Sequence, residues 1–544
     1  MKAFRCRRER ANNAHTIIVN GQSRGQLLLG VLRWASLRDL GDARNRFIPR
    51  GELTSCLDYR TVREALRVFL DPELYNDEDL DKMAHCISPS ADSCSRCEND
   101  SCTGLRILFV ALVAIEREQL VTQFCTSSSM CDSTWPLHDT TNSLAHEAYL
   151  QDLWIELAAK EKEIFTQVQW AMRSPHFTAM TPDEDPKSYD DEVSLPWVLL
   201  EGERNTLGLL GSFVHKVQIH KMHHQLGRPD ACFALKVLMK RRVPSHGRNL
   251  FDKEVKANQK VSHPHITPLL AAFTHRSDFY LVFPWANDGN LGQFWETYAP
   301  YDHPNLPGKT APWYSVDWMA RQCYLIADAL ATIHGSRLGE GSRCSAPQLH
   351  ADISPENILC FSEGEATCSL KISDFDRSIP FDPQSGLQGE VDEPKSYRPP
   401  DSDEQVGLEW DIWSLGCLYV EFVTWALTGY SGVVNFGEAR LEEVDAPDPN
   451  SPFNPVEEDL FFSRQWIPPR WRWLQRTPPR RVMKIKSAVI SHLRNLREHP
   501  RCTLYMRKLL DLAENEMLVI EAGRRATSAD IRDILHQLVK PDMP

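Results

Sequence analysis

Hydrophobic and polar positions change their pattern twice along the chain. Up to about residue 190, apolar residues recur at helical spacing in two stretches, residues 105–124 and 145–168, with charges between them. The stretch TPDEDPKSYDDE at 181–192 is acidic and contains prolines, which predicts a linker. The sequence therefore predicts a mostly α-helical N-terminal region over residues 1–190 that ends in an acidic linker.

The second pattern begins near Leu195 and is typical of β-strands. Residues 199–219 and 232–238 are rich in Val, Phe, Ile and Leu, and the polar residues 220–230 between them predict a long hairpin tip. A helix is predicted over residues 251–261, and YLVFP at 280–284 predicts a short buried strand.

The third pattern is helical and starts at Asp317. Its apolar residues are spaced by four, three, four and three positions, so they share one helix face: Met319, Cys323, Ile326, Leu330 and Ile333. These patterns predict an α+β domain over residues 195–544. In this domain a strand-rich lobe (about 195–285) precedes a helical lobe (about 286–540).

Length and composition limit the function classes. A chain of 544 residues with 42% hydrophobic content can form two or three domains with real cores. The net charge of −13 disfavours a nucleic-acid coat or a binder of anionic membranes. The longest apolar run, residues 107–115, is too short to span a bilayer.

The N-terminus and the cysteines indicate a compartment. The basic start MKAFRCRRERANNAH is not followed by an apolar segment, so we predict no secretory signal. Fifteen scattered cysteines without such a signal favour reduced thiols. We therefore expect an intracellular protein, cytoplasmic or nuclear, with no membrane span.

The helical lobe carries an ordered set of polar side chains. Asp352 and Asn357 lie in LHADISPENILCF, and Asp374 follows in LKISDF. Metal-bound ATP needs hard oxygen ligands, which Asn357 and Asp374 can supply, and a hydroxyl nucleophile needs a positioned carboxylate, for which Asp352 is the candidate. The alternative for each residue is a structural turn or capping role.

The strand-rich lobe adds a cation and its partner. Lys236 lies on a predicted strand in FALKV, where its ammonium can hold the α and β phosphates, and Glu254 on the next predicted helix can orient it as an ion pair. The alternative is a solvated strand lysine.

The order Lys236, Glu254, Asp352, Asn357, Asp374 resembles the eukaryotic protein-kinase-like superfamily. Four further segments resemble the same superfamily. HPHI follows Glu254 by nine residues, and YLVFPWANDGNL resembles the last strand of the first lobe and the hinge, with Phe283 at the gatekeeper position. SYRPPD at 396–401 stands where the family has its Ala-Pro-Glu motif, and WDIWSLG resembles the helix that anchors the second lobe through an aspartate, here Asp411. The segment GRRATSADI resembles the closing motif, in which Arg525 would pair with Asp401.

This resemblance implies the bilobal kinase fold and transfer of the γ-phosphate of ATP, with Mg²⁺, to Ser or Thr hydroxyls of a protein. It also implies that the adenine lies between three apolar side chains, those of Val214, Ala234 and Leu359. Gly208 and Gly211 would belong to the phosphate-binding glycine loop.

The whole chain also resembles an expanded class of fungal kinase-like proteins, in which a helical region precedes the kinase domain. The fragments that carry this second resemblance are RILFVALVAIEREQLVTQF, FTQVQWAMRSPHF, SLPWV, VHKVQIHKMHH and LRNLREHPRCTLYMRKLLDLAENEML.

Several positions depart from the family pattern. Ala351 stands where an arginine usually precedes the catalytic aspartate, and neither Ser354 nor Glu356 supplies a cation for the γ-phosphate from this loop. Asp376 replaces the glycine after Asp374 and Phe375. In the glycine loop, Ser212 stands at the third glycine. These departures keep a pseudokinase open as the alternative function.

Two segments have a second interpretation. Cys86, Cys94, Cys97 and Cys102 can bind zinc, but a single Cys-x2-Cys is a weak signal and reduced loop cysteines are favoured. Residues 464–486 are basic and rich in tryptophan, which can indicate nucleic acid, but the paired prolines favour an insertion over the helical lobe. A small-molecule phosphotransferase is the third candidate function, disfavoured by SYRPPD, WDIWSLG and Arg525.

Overall fold

The structure is a computed structural model. It describes residues 18–19, 22–23, 54, 57–89, 94, 102, 104–126, 131–132, 157–207, 212–238, 247–300, 309–310, 314–336, 342–362, 367–382, 384–387, 397–400, 407–445, 458–467, 471–472, 475–476 and 480–539.

The N-terminal part is helical, which is consistent with the prediction. Its elements are the pair β1 (Ile18–Val19) and β2 (Gln22–Ser23), then α1 (Tyr59–Phe69), α2 (Asp77–Ile87), α3 (Arg106–Ala114), α4 (Val121–Thr126) and α5 (Ala159–Ala171). The first predicted helix, 105–124, is interrupted, because Glu116 has a φ of 58° and breaks the helical path. Residues 145–156 of the second predicted helical stretch, 145–168, lie outside the described residues.

Local capping explains where α1 and α2 begin. Asp58 accepts a hydrogen bond from the backbone N–H of Thr61, and Asn76 and Asp79 form a reciprocal capping box. The apolar faces of α1 to α5 meet in one core, whose fully buried members include Val62, Leu66, Leu108, Phe109, Val121, Phe124 and Phe165.

A six-stranded sheet is the main element of the strand-rich lobe. The elements of this lobe, in chain order, are β3 (Lys187–Ser188), β4 (Trp197–Leu207), β5 (Ser212–Ile219), β6 (Cys232–Leu238), α6 (Gly247–Lys260), β7 (Val261–Ser262), β8 (Ala271–His275) and β9 (Asp278–Pro284). The strand order in the sheet is β3-β8-β9-β6-β5-β4. The antiparallel pair of β5 and β6 confirms the predicted hairpin with its polar tip.

The acidic stretch predicted as a linker is instead part of this lobe. Lys187 and Ser188 pair with Phe273 and Thr274 of β8, so the sheet begins before the predicted boundary at residue 190. Composition misled here because the acidic residues face outward while Tyr189 packs inward, 5.3 Å from the Phe273 ring.

Both faces of the sheet are covered. On the outer face, Trp170 and Phe177 from the preceding chain and Trp197 of β4 pack against apolar residues of β5, β6, β8 and β9. On the inner face, Phe251 and Val255 of α6 pack against Leu238, Ala272, Phe279 and Leu281. The side chains of each strand alternate between these two faces.

The helical lobe follows. Its elements are α7 (Leu291–Thr297), β10 (Tyr298–Ala299), β11 (Lys309–Thr310), α8 (Val316–Ile333), β12 (Arg343–Cys344), β13 (Gln348–Leu349), β14 (Ile358–Ser362), β15 (Cys368–Ile372), β16 (Ile379–Asp382), β17 (Gly386–Leu387), α9 (Glu409–Glu442), β18 (Phe462–Ile467), β19 (Trp471–Arg472), β20 (Gln475–Arg476), β21 (Arg480–Ile485), α10 (Ser487–Glu498), α11 (Leu504–Leu512) and α12 (Ser528–Leu538). The five residues predicted to share one face of α8 lie in the core of this lobe.

Helix α9 forms the centre of the lobe. It consists of two helical segments joined at Gly429, whose φ of 72° interrupts the helix. Among the described residues it is the one helix long and apolar enough for an 18-residue window to match a bilayer, and 94% of that window is buried inside the protein. This is the pattern of a core helix.

The basic segment 464–486 forms a hairpin on the helical lobe. Strand β18 pairs with β21 in antiparallel register, and Arg464 contacts Asp445 and Glu458 at 2.9 and 2.8 Å. Lys486 donates to the carbonyl oxygens of Arg440 and Glu458. These contacts support the predicted insertion, because Arg464 and Lys486 bind groups of the helical lobe itself.

We predict that Phe177→Ala destabilises the protein by about 3 kcal/mol or more, because it removes a ring buried against Phe273 and leaves a cavity. The midpoint of thermal unfolding measures this loss. Leu74→Ala is the matched control, since Leu74 is 73% exposed and should leave the midpoint unchanged. An unchanged midpoint in both variants would show that the outer layer does not stabilise the sheet.

Candidate functional site

Lys236 is the buried cation of the site. Strand β6 lies between β5 and β9, and its alternation turns Phe233 and Leu235 to the outer core and Lys236 to the inner face. There the Lys236 side chain is 9% exposed. A buried ammonium needs compensating charges.

Two carboxylates supply that compensation. Lys236 Nζ lies 2.9 Å from Oε1 of Glu254 on α6 and 2.7 Å from Oδ1 of Asp374, which follows β15. The second lobe is held in place beside α6, because Ile372 donates to the carbonyl of His265 and Thr267 donates to the carbonyl of Ile372. The structure thus brings Lys236, Glu254 and Asp374 together.

Asp352 and Asn357 lie on the loop between β13 and β14. The Asn357 amide nitrogen donates to the backbone oxygen of Asp352 at 2.9 Å and to its carboxylate at 2.8 Å. Both bonds use the amide nitrogen, which leaves the amide oxygen as a possible metal ligand. Arg377 lies 3.6 Å from the same Asp352 carboxylate.

The His350 ring connects this loop to Asp374. Its Nδ1 accepts from the backbone N–H of Asp352, and its Nε2 contacts the backbone oxygen of Ser373 at 3.1 Å. The ring centroid is 4.9 Å from that of Phe375. Burial lowers the pKa of His350, so the ring is neutral and acts as a structural connection.

Asp411 of α9 holds the backbone of the same loop. Its two carboxylate oxygens accept the N–H groups of His350 and Ala351 at 2.8 and 2.9 Å, and it contacts His334 at 2.9 Å. Ala351 has a φ of 66° and Asp374 a φ of 65°, so both chain segments of the site have left-handed residues. The anchoring geometry expected for Asp411 is present.

The carboxylates of the site are crowded. Burial raises the pKa of Asp352 to about 7; Arg377 opposes this rise, and Asp374 and Asp376 add to it. Burial, reinforced by Asp374, also raises the pKa of Asp376. For Asp374, burial favours the neutral form, but the Lys236 ammonium outweighs it and keeps the pKa below its ordinary value.

The same balance acts on the ion pair itself. Burial disfavours the charged form of Lys236, but the carboxylates of Asp374, Glu254 and Asp376 hold its pKa well above the ordinary value. Burial raises the pKa of Glu254 despite the neighbouring ammonium. The site therefore keeps its lysine charged and has an excess of carboxylate.

That excess matches a divalent cation. Within the described part of the chain, Oε2 of Glu254 and Oδ1 of Asp376 are buried and accept no hydrogen bond. Carboxylate and amide oxygens are the ligands that Mg²⁺ prefers. The donor set of Asp374, Asn357 and Asp376 therefore fits a magnesium ion.

Two of the three residues expected around an adenine share one face of the sheet, and the third lies on β14 of the second lobe. Val214 pairs with Lys236 in register and Ala234 is two residues from Lys236 along β6, so all three share the inner face of the sheet. Leu359 on β14 bridges to Asn290. Each of these apolar side chains is only half-buried, which leaves surface for a ligand. Gly208 and Gly211 lie outside the described residues.

One cation of the site was missed in the sequence. Arg377 lies against the Asp352 carboxylate, although Ser354 and Glu356 carry no charge of this sign, and the signal was its position three residues after Asp374. Asp376, noted in the sequence as the replacement for a glycine, lies 3.9 Å from Lys236 and joins the carboxylate cluster. Asp376 and Arg377 lie in the segment after β15, which brings Arg377 to Asp352 and Asp376 to Lys236.

The predicted pair of Arg525 with Asp401 is not tested, because Asp401 lies outside the described residues. Arg525 donates to the backbone oxygens of Val519, Ile520 and Glu409, and its guanidinium lies 5.1 Å from the Trp413 ring. It therefore ties the C-terminal segment to the start of α9.

Comparisons with known proteins agree with this geometry. Residues 221–432 match the family model for the protein kinase domain. Curated relatives include an Aurora/IPL1-related protein kinase 2 of Caenorhabditis elegans (28% identical; 35% of this chain, 54% of that protein), serine/threonine-protein kinase Aurora-2 of Arabidopsis thaliana (30%; 36% and 60%) and an Aurora kinase of Schizosaccharomyces pombe (28%; 42% and 58%). The chain thus spans between 54% and 60% of these relatives.

We predict that Asp352→Asn stabilises the ligand-free protein, and more so as the pH rises from 5 to 8. Because the folded-state pKa of Asp352 is raised to about 7, the wild type binds more protons when folded and loses stability as the pH rises through that window. Thermal midpoints of wild type and variant across this range measure the difference.

The exposed Asp533→Asn is the control and should give a constant difference over the same pH range. A pH-independent difference for Asp352→Asn as well would contradict the raised pKa.

Proposed function

We propose that this chain, which carries a protein-kinase-like domain, is a divergent protein kinase that transfers the γ-phosphate of ATP to Ser or Thr hydroxyls of a protein. The observation that carries the proposal is the convergence of Lys236, Glu254 and Asp374 on one buried ion pair in the cleft, with Asp352 and Asn357 beside it. The likeness to serine/threonine kinases of the Aurora type supports the substrate class.

Each residue has a role in this proposal. Lys236, held by Glu254, orients the α and β phosphates. Asp374 and Asn357 hold Mg²⁺, which neutralises charge on the phosphate oxygens when it is bound. Asp352 accepts a hydrogen bond from the substrate hydroxyl and takes its proton as the oxygen attacks. Val214, Ala234 and Leu359 enclose the adenine.

Arg377 supplies the phosphate-stabilising cation that the loop after Asp352 lacks. Its side chain is 11% exposed and faces the carboxylate of Asp352, where the hydroxyl and the γ-phosphate would meet. A guanidinium is always charged and fits phosphate oxygens in bidentate fashion. This position favours an enzyme over a scaffold.

The alternative is a pseudokinase that binds nucleotide or a protein partner without turnover. Asp376 favours it, because a fixed carboxylate 3.9 Å from Lys236 competes for the ammonium that should hold phosphate. The enzyme is preferred because the complete set of Lys236, Glu254, Asp352, Asn357 and Asp374 is retained.

The first experiment separates the two functions. Thermal stabilisation by ATP, with and without Mg²⁺, is measured beside phosphate transfer to a generic protein substrate such as casein. We expect magnesium-dependent stabilisation in the wild type, its loss in Asp374→Ala, and loss of turnover but retained binding in Asp352→Ala.

Stabilisation by ATP without turnover would favour the pseudokinase. No stabilisation in any condition would reject the enzyme. The control variant Asp533→Asn should behave as the wild type in both assays.

A second prediction concerns Arg377. Arg377→Met should lower the rate of phosphate transfer by about a hundredfold, the typical loss for one transition-state stabiliser, with little change in stabilisation by ATP. Arg377→Lys should recover part of the rate because it restores the charge. Equal rates in wild type and Arg377→Met would show that the γ-phosphate is stabilised by another group.

The remaining proposals concern the whole chain. The helices before the kinase-like domain support membership of the fungal class, with a regulatory or partner-binding role for residues 1–190. We also propose that the protein lies inside the cell, in the cytoplasm or the nucleus. No membrane span is proposed, since the long apolar helix α9 is buried in the protein. No nucleic-acid partner is proposed, since Arg464 and Lys486 of the basic segment contact the protein itself.

A further inference from the structure

Three cysteines of the N-terminal part meet in a cluster that the kinase-like domain does not use. Cys94, Cys102 and Cys131 lie 8 and 29 residues apart in the sequence, yet their sulfur atoms are all within 4.8 Å of one another. None of the three forms a disulfide with another described cysteine, and their exposed fractions are 5%, 8% and 0%. Three chain segments therefore converge on one buried group of sulfur atoms.

This spacing suits a metal. Zinc–thiolate bonds of about 2.3 Å in a tetrahedral site place the sulfur atoms roughly 3.8 Å apart, and thiolates select Zn²⁺ over hard cations such as Mg²⁺. Packing alone explains the cluster less well. The three cysteines form a separate group, whereas the apolar residues of α1 to α5 form their own core.

The backbone around the cluster is fixed. Gly104, with a φ of 79°, packs so closely on Pro89 and Ile87 that an added Cβ would lie 2.5 Å from the Pro89 ring. Its carbonyl accepts the backbone N–H of Asp132 at 2.6 Å and lies 4.0 Å from the sulfur of Cys102. The chain segments that carry Cys102 and Cys131 are thus held together by the protein backbone, without the help of a metal.

The guanidinium groups of the buried Arg106 and the half-buried Arg173 lie near the chain segments of the cluster. Arg106 donates to the backbone oxygen of Leu57 and to Ser88, and Arg173 donates to the backbone oxygen of Asp132. Their positive charge would favour the thiolate form of Cys102. Positive charge at this place offsets the net negative charge of a zinc–thiolate centre.

Asp132 is excluded as a ligand. Its carboxylate oxygens accept the backbone N–H groups of Ile107 and Leu108 at the start of α3, at 3.0 and 3.4 Å. It therefore orients the helix beside the cluster, and the sulfur atoms are left as the metal-binding groups.

We propose that Cys94, Cys102 and Cys131 bind a structural zinc ion as thiolates. Each of the three thiols releases one proton when it binds the metal, and no electron is transferred. A tetrahedral zinc ion takes a fourth ligand, for which Cys97 is the candidate in the sequence, because it forms Cys-x2-Cys with Cys94. The proposal replaces Cys86 of the sequence-based set by Cys131, since Cys86 packs on the core of α1 to α5.

The site would stabilise the junction between the helical part and the sheet. Arg173, bound to the segment of Cys131, lies in the same turn as Ser174, whose hydroxyl donates to the carbonyl of Ser194. Trp170, at the end of α5, packs in the outer core of the sheet. Zinc at the cluster would therefore fix the element that covers the sheet.

The test measures metal content and thiol protection in the full chain, purified without a histidine tag. Mass spectrometry of the metals should find about one zinc per chain. Cobalt substitution should give thiolate charge-transfer and tetrahedral visible bands. Alkylation of Cys94, Cys102 and Cys131 should be slow and become fast after a strong chelator is added, while alkylation of the half-buried Cys86 should not change.

Variants assign the ligands. Cys94→Ser, Cys102→Ser and Cys131→Ser should each lose most of the zinc, Cys86→Ser should retain it, and loss of zinc in Cys97→Ala would identify the fourth ligand. Alkylation of the wild type gives an answer even where a variant fails to fold. A wild type that takes up no zinc from added zinc salt, that contains stoichiometric iron, or whose cluster thiols react equally with and without chelator would overturn the proposal.

Discussion

The contact between the Lys236 ammonium and two carboxylates from different elements determines how the two lobes meet. A buried cation without partners costs several kcal/mol, so Glu254 on α6 and Asp374 after β15 must both remain near it. The contact therefore fixes α6 against the sheet and the second lobe against α6.

The same contact creates an imbalance that a ligand would correct. Four carboxylates, those of Glu254, Asp352, Asp374 and Asp376, surround one ammonium and one guanidinium. Burial weakens the stabilisation of this charge by water, and the raised pKa of Asp352 is one result. A site of this kind is less stable when empty than when occupied, which is common where binding and stability compete.

The sequence predicted the site better than its surroundings. Lys236, Glu254, Asp352, Asn357 and Asp374 were selected because their order and spacing depend on chemistry that few arrangements satisfy. The structure places Lys236 against Glu254 and Asp374, and Asn357 against Asp352, while their catalytic roles stay predictions. Arg377 and Cys131 were missed because their roles depend on distances across the fold. Lys187 and Ser188 were assigned to a linker because local composition does not reveal that a strand pairs with β8.

The layer on the outer face of the sheet has a practical consequence for anyone who isolates the kinase-like part. A truncation at residue 195, where the strand pattern starts, would remove Phe177 and Tyr189 and uncover part of the Phe273 ring. A contiguous apolar patch exposed in this way promotes aggregation. A soluble fragment should therefore start before α5, so that Trp170 and the segment after it remain attached.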